Sequence, residues 1–147
     1  MITFSTLVTI NASMLGCPAT NCLVTLKSSR GKYVQASLAG AISATSRNIN
    51  EKAKWYIYFI GNNIVNLRNK ESGKYLTARA TGILRHDRER DPNSWEKFTL
   101  EYYGDNNYAL KTFHGKYMTQ ATFLMGNAAR VGQTELFQIH AFWASVV

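Results

Sequence analysis

An all-β fold of three like units is what this sequence predicts, and three observations carry the prediction. The first is a tripeptide that returns at a fixed period. Gly31-Lys32-Tyr33, Gly73-Lys74-Tyr75 and Gly115-Lys116-Tyr117 stand 42 residues apart both times, each preceded by a leucine and a basic residue (Leu26-Lys27, Leu67-Arg68, Leu110-Lys111). A period of this length fixes architecture before any single element is read. The second is that short β-branched and aromatic runs alternate with turns bearing Gly, Asn and Ser. The third is that no segment with helical period competes; the best, Asn48 to Trp55, is too short and too polar to carry a buried face. Three four-stranded repeats with pseudo-threefold symmetry give a β-trefoil, in which six strands close a barrel and three hairpins cap one end. Closure removes the edges that an open twelve-stranded sheet would expose.

Residues 1–22 form an N-terminal extension. Ile2, Phe4, Val8 and Ile10 alternate with Thr3, Ser5 and Thr9, which predicts a strand, and Cys17-Pro18-Ala19-Thr20-Asn21-Cys22 predicts a turn. The trefoil occupies residues 23–140. Repeat one predicts strands at Leu23–Leu26, Lys32–Ala36, Ala41–Ser46 and Trp55–Ile60. Repeat two follows the turn Gly61-Asn62-Asn63, with strands at Ile64–Arg68, Lys74–Ala78, Ile83–His86 and Glu96–Tyr102. Repeat three follows Gly104-Asp105-Asn106-Asn107, with strands at Tyr108–Thr112, Lys116–Gln120, Phe123–Met125 and Leu136–Ala141. The fourth strands align as Trp55-x-Ile57, Phe98-x-Leu100 and Phe137-x-Ile139, two apolar side chains to one face each. Residues 141–147 are an apolar tail. Because the two chain ends of a trefoil lie side by side, the tails are expected to pair over the barrel wall or to present a self-association surface.

Composition limits function more than it selects one. At 147 residues, 46% apolar and 12% aromatic, the chain suits one globular domain. It has no apolar run long enough for a membrane-spanning helix. The net charge of +8 favours anionic partners. Residues 23–60 hold +5 of that excess, so the first repeat is the basic one. Two cysteines are too few for a disulfide framework or a four-ligand zinc site. Cys17 and Cys22 close a short loop or remain thiols, and thiols are the preferred reading. Met1 to Ala12 lacks the basic residues of a signal peptide, so a cytoplasmic location is expected, with an extracellular one as the alternative that the Asn11-Ala12-Ser13 sequon would suit.

The run Leu67-Arg68 through Gly73-Lys74-Tyr75-Leu76-Thr77-Ala78 to Gly82 resembles the repeat unit of fascins and hisactophilin, the actin-crosslinking β-trefoils. Val131 to Ile139 is similar to the closing strand of fascin trefoils. The resemblance implies a non-enzymatic module that binds actin filaments. Fascins carry four trefoils in tandem and this chain has one, so bundling would need oligomers or two faces. Hisactophilin is crowded with histidine; three histidines here do not carry that pH-dependent mechanism over. The Gln-x-Trp mark of ricin-type sugar sites is absent.

In each Gly-Lys-Tyr, glycine and tyrosine read as scaffold: glycine for a turn with positive φ, tyrosine in the barrel or against its cap. The lysine is left to bind. The candidate site is therefore Lys27, Arg30, Lys32, Arg47, Lys52 and Lys54 of the first repeat, with Lys74 and Lys116 from the other two turns. Its partner would be an actin filament or, alternatively, an acidic glycan bound by a secreted lectin-like protein. A third reading is a structural subunit self-associating through its tails. Nucleic acid is least favoured, since no recognition motif is visible. No nucleophile–base pair, phosphate loop or metal-ligand spacing is legible, so no enzyme, cofactor or metal is expected. The arginines within Asp87-Arg88-Glu89-Arg90-Asp91 argue for a salt-bridged loop over a calcium site.

Overall fold

The computed structural model describes residues 9–19, 21–88, 91–121 and 123–142. Twelve strands lie within that span. They are β1 (Asn21–Ser28), β2 (Tyr33–Ala36), β3 (Ile42–Ser46), β4 (Trp55–Gly61), β5 (Ile64–Asn69), β6 (Tyr75–Ala78), β7 (Leu84–Arg88), β8 (Phe98–Tyr102), β9 (Asn107–Lys111), β10 (Tyr117–Gln120), β11 (Leu124–Ala128) and β12 (Phe137–Ala141). Every strand expected between residues 23 and 141 is present, with ends shifted by at most three residues.

The pairings close a ring. β1 pairs β4, β4 pairs β5, β5 pairs β8, β8 pairs β9, β9 pairs β12 and β12 returns to β1, all antiparallel. The remaining strands form three hairpins, β2–β3, β6–β7 and β10–β11, each with a register shift just past the tyrosine of its Gly-Lys-Tyr. This is the β-trefoil. Each barrel strand sends two side chains inward: Val24 and Leu26, Trp55 and Ile57, Val65 and Leu67, Phe98 and Leu100, Tyr108 and Leu110, Phe137 and Ile139, all fully or almost fully buried. Val34, Leu76 and Met118 fill the cap beneath them. The turn glycines Gly31, Gly73 and Gly115 have φ of +78°, +73° and +79°, a conformation that a side chain makes strained.

The tyrosines differ from expectation. Tyr33, Tyr75 and Tyr117 are half-buried on the outer wall, while the aliphatic residue after each is buried. Strand alternation sends neighbours to opposite faces, so only one of the two can enter the core.

One short 3₁₀ turn precedes the last strand of each repeat, at Glu51–Ala53, Ser94–Glu96 and Gln133–Glu135. In the second and third repeats the turn ends in a buried glutamate. Glu96 accepts from the Thr77 hydroxyl at 2.7 Å and from the Asn93 N–H at 2.7 Å. Glu135 accepts from Thr119, from Thr134 at 2.6 Å and from the Gly132 N–H at 2.7 Å. Each carboxylate ties a hairpin to the strand that follows it. Burial alone would raise the Glu135 pKa; the hydrogen bonds from Thr119, Thr134 and Gly132 outweigh it and hold the group below its ordinary value. The first repeat solves the same junction with Ala53 and Trp55, whose indole N–H donates to the Val34 carbonyl at 2.9 Å.

The strand expected at the N-terminus falls mostly on residues outside those described. Residues 12–15 form a 3₁₀ turn capped by Asn11, whose side chain accepts from the Met14 N–H. Ile10, Leu15 and Cys17 join the core cluster, so this part of the extension belongs to the fold. Cys17 and Cys22 are disulfide-bonded, with Cα atoms 5.5 Å apart. The preference for free thiols is thereby corrected. Leu15 and Cys17 are drawn inward by burial, and that brings Cys17 beside the start of β1, where Cys22 pairs with Ile57. The C-terminal tail beyond Phe142 lies outside the described residues; the Phe142 N–H donates to the Leu23 carbonyl at 2.8 Å.

Candidate functional site

The strand register sets three equivalent faces on the barrel wall, one at each junction between repeats, and two of them are hollowed into grooves. Lys27 of β1 lies opposite Gln138 of β12, Arg68 of β5 opposite Tyr56 of β4, and Lys111 of β9 opposite Thr99 of β8. The basic residue in each case is the one that precedes a Gly-Lys-Tyr turn. Lys27 and Lys111 stand over the rings of Tyr33 and Tyr117, each 5.8 Å from the centroid. Arg68 instead donates from Nε to the Gly73 carbonyl at 3.0 Å.

The same frame carries different chemistry at each junction. Between repeats one and two the face is aromatic: Tyr56, Tyr58 and Tyr75 form a chain with ring centroids 6.5 and 6.4 Å apart. Between repeats two and three it holds an acid. Glu101 accepts the Tyr117 hydroxyl with both oxygens at 3.0 Å and the Tyr103 hydroxyl at 3.3 Å. Burial, and then the bond to this carboxylate, pushes the Tyr117 pKa up to about 12, so its proton stays in place. Between repeats three and one the groove is polar and without a carboxylate. It encloses about 340 Å³, lined by Lys27, Ser28, Ser29, Gly31, Asn107, Gln133, Leu136 and Gln138.

The predicted cations divide accordingly. Lys27 and Arg47 flank Gly31, near enough that a methyl group there would lie 3.9 Å from the Lys27 Cε and 3.4 Å from an Arg47 terminal nitrogen. Arg30 and Lys32 occupy the same turn, so these four come together beside the groove. None of the four has an ion-pair partner among the described residues. Lys52 lies on the 3₁₀ turn Glu51–Ala53 and Lys54 caps its end. Lys54 is engaged there: its ammonium pairs with Glu51 and sits 4.3 Å from the centre of the Phe142 ring. Glu51 also binds Lys70 at 2.6 Å. The bonds from Lys54 and then Lys70 lower the Glu51 pKa to about 2. Lys74 and Lys116 stand on the corresponding turns of the other repeats, away from the four. Asp87, in β7, is bound by Arg79 and Arg85 at 3.3 and 3.5 Å, while part of the Asp87–Asp91 run lies outside the described residues.

Sequence reasoning missed Asn107, Gln133 and Gln138, which complete the groove from the far end of the chain. The signal was available: Gln138 is the polar x between Phe137 and Ile139, aligned with Tyr56 and Thr99, and register alone places it against Lys27. Among the described residues no group of three or more His, Cys, Asp or Glu is placed to hold a metal ion.

The family model described as Fascin domain matches residues 62–139. No curated protein sequence matches the chain. Among solved structures, a designed threefold-symmetric protein, ThreeFoil, superposes with a TM-score of 0.73 at 16% identity, covering 82% of this chain and 99% of that one. At that identity the likeness speaks for the fold alone.

Proposed function

Since this chain belongs to the fascin-domain family, we propose that it is a non-catalytic binding module whose first-repeat cations hold an anionic partner surface, the actin filament. The observation that carries the reading is the grouping of Lys27, Arg30, Lys32 and Arg47 at the one face of three that has neither an acid nor an aromatic chain across it. Unpaired cations crowded on one turn repel one another, so an anion brought to them gains from all four together. Family membership favours a filament, in the cytoplasm, over other polyanions.

Co-sedimentation with actin filaments tests this. The parent protein is expected to pellet with filaments at low salt and less so as salt screens the contact, since the Debye length falls to about 8 Å at physiological ionic strength. The Lys27→Glu, Arg30→Glu, Lys32→Glu triple variant is expected to stay in the supernatant. Absence of pelleting by the parent at low salt sinks the actin reading.

The Cys17–Cys22 disulfide favours a second reading, an extracellular protein that binds acidic glycans through the same cations. Its groove is small and rich in side-chain hydroxyls and amides, which suits a sulfated sugar ring. Retention on a sulfated-glycan column, lost in the same triple variant, together with no pelleting on actin, would select it.

A further inference from the structure

At the junction of repeats two and three, aromatic side chains stand where the other repeats have polar ones. Trp95 stands on the 3₁₀ turn Ser94–Glu96 and is 43% exposed. Its ring meets His114 edge-on, with centroids 5.4 Å apart and planes at 68°. His114 meets Phe113 in the same manner at 5.7 Å and 81°. Phe113 is 57% exposed. The His114 Nε2 lies 2.9 Å from the Ala78 carbonyl, to which its N–H donates, and that bond fixes the middle ring. The result is a ridge of three aromatic rings with a cleft on either flank. The cleft beside Trp95, bordered by Asn93 and Ser94, holds about 420 Å³. The one beside Phe113, bordered by Lys97, Thr99, Glu101 and Lys111, holds about 540 Å³.

The fold does not need this ridge. The positions equivalent to Trp95 are Lys52 and Thr134, and those equivalent to Phe113-His114 are Ser29-Arg30 and Lys70-Glu71-Ser72. Two repeats out of three make the same junction with polar side chains. Rigid rings with two side-chain torsions lose little entropy when a ligand settles on them, and pockets of this size take small organic rings.

We infer that the Trp95–His114–Phe113 ridge is a binding site for a neutral saccharide chain, one sugar ring stacked in each cleft. Charge selects this occupant. Across the two clefts Lys97 and Lys111 are balanced by Glu101 and Glu96, so the site lacks the excess of cations that a phosphate-bearing or sulfated strand requires. An apolar peptide would bury the Ser94 and Thr99 hydroxyls without partners. A pyranose has an apolar C–H face for the rings and a rim of hydroxyls that donate to Glu101 and accept from Ser94, Thr99 and the lysines. The inference is independent of what the first-repeat cations bind.

The full chain, nitrogen-15 labelled, is titrated with cellotetraose, maltotetraose, mannotetraose and chitotetraose, each to about 10 mM, enough to load a millimolar site. At least one is expected to move the Trp95 indole resonance to saturation, with affinity then read by calorimetry. Trp95→Ala and Phe113→Ala should each weaken that affinity about tenfold or more. Trp95→Phe should retain most of it, and Lys27→Glu should leave it unchanged. The inference is overturned if no saccharide moves the resonance, or if Trp95→Ala, shown folded by circular dichroism, binds as tightly as the parent. It is equally overturned if only a thymidine oligonucleotide or an apolar peptide moves it.

Discussion

At the scale of single residues, the threefold frame shows which positions the fold dictates and which it leaves open. Thr77 with Glu96 and Thr119 with Glu135 are two copies of one buried tether, and Gln35 with Ala53 is the place where it was replaced. There Trp55 supplies a hydrogen bond of its own to the Val34 carbonyl, while the Gln35 Oε1 is left buried without a partner. Removing the tether should be felt. Glu135→Ala is expected to lower unfolding free energy by about 1–3 kcal/mol, because the Thr119 hydroxyl and the Gly132 N–H lose a buried acceptor. The pH dependence follows from the depressed pKa of Glu135: its contribution is present above the ordinary carboxylate value of 4.5 and is lost as pH falls through the lower folded value. Urea midpoints for the parent should therefore fall more steeply below about pH 4.5 than those of Glu135→Gln. Equal slopes would mean the hydrogen bonds do not favour the ionised form.

Among elements, the extension before β1 is the one whose role changes most between sequence and structure. Its alternating pattern lies mostly outside the described residues, while residues 9–19, expected as no more than a turn, pack Ile10, Leu15 and Cys17 into the common core. Truncations before residue 9 and before residue 17 isolate the contribution of this segment. Deleting residues 1–16 should lower stability, relative to deleting residues 1–8, by about 3–6 kcal/mol, the transfer free energy of two large aliphatic side chains, as read from urea unfolding. Equal stability of the two truncations would show that the segment only rests on the wall. The twelve strands were legible because the turn chemistry repeats and the apolar alternation is regular within each repeat. The packing of residues 9–19 was not, because Asn11-Ala12-Ser13-Met14-Leu15 has no period and its place is decided by β12 and by Asn63 in the turn after β4. The groove was half legible. Lys27, Arg30 and Lys32 are neighbours in sequence, whereas Asn107, Gln133 and Gln138 reach them only through the pairing of the first strand with the last.

For the whole molecule, pseudo-symmetry does not mean three like sites. The three faces are polar and basic, aromatic, and acid-bearing, so one anion contact per chain is the expectation from the described residues. A monomer with one such contact decorates a filament and does not bundle it. Pelleting at high speed without bundles at low speed is therefore expected for monomeric protein, and bundles should appear only where analytical sedimentation also detects dimers or larger species. Bundling by a strict monomer would reveal a second filament contact and contradict the single-groove reading.

The ring that begins and ends at the β1–β12 pair also sets when this protein can exist. While the chain is being synthesised, β1 holds β4 on one side and leaves its other edge bare until residues 137–141 leave the ribosome. Repeats one and two cannot be closed in the meantime, and their exposed edges are ready templates for another nascent chain. Residues 137–141 thus act as a latch on the whole trefoil. A message truncated before Phe137 would yield an aggregation-prone open sheet in place of a smaller trefoil.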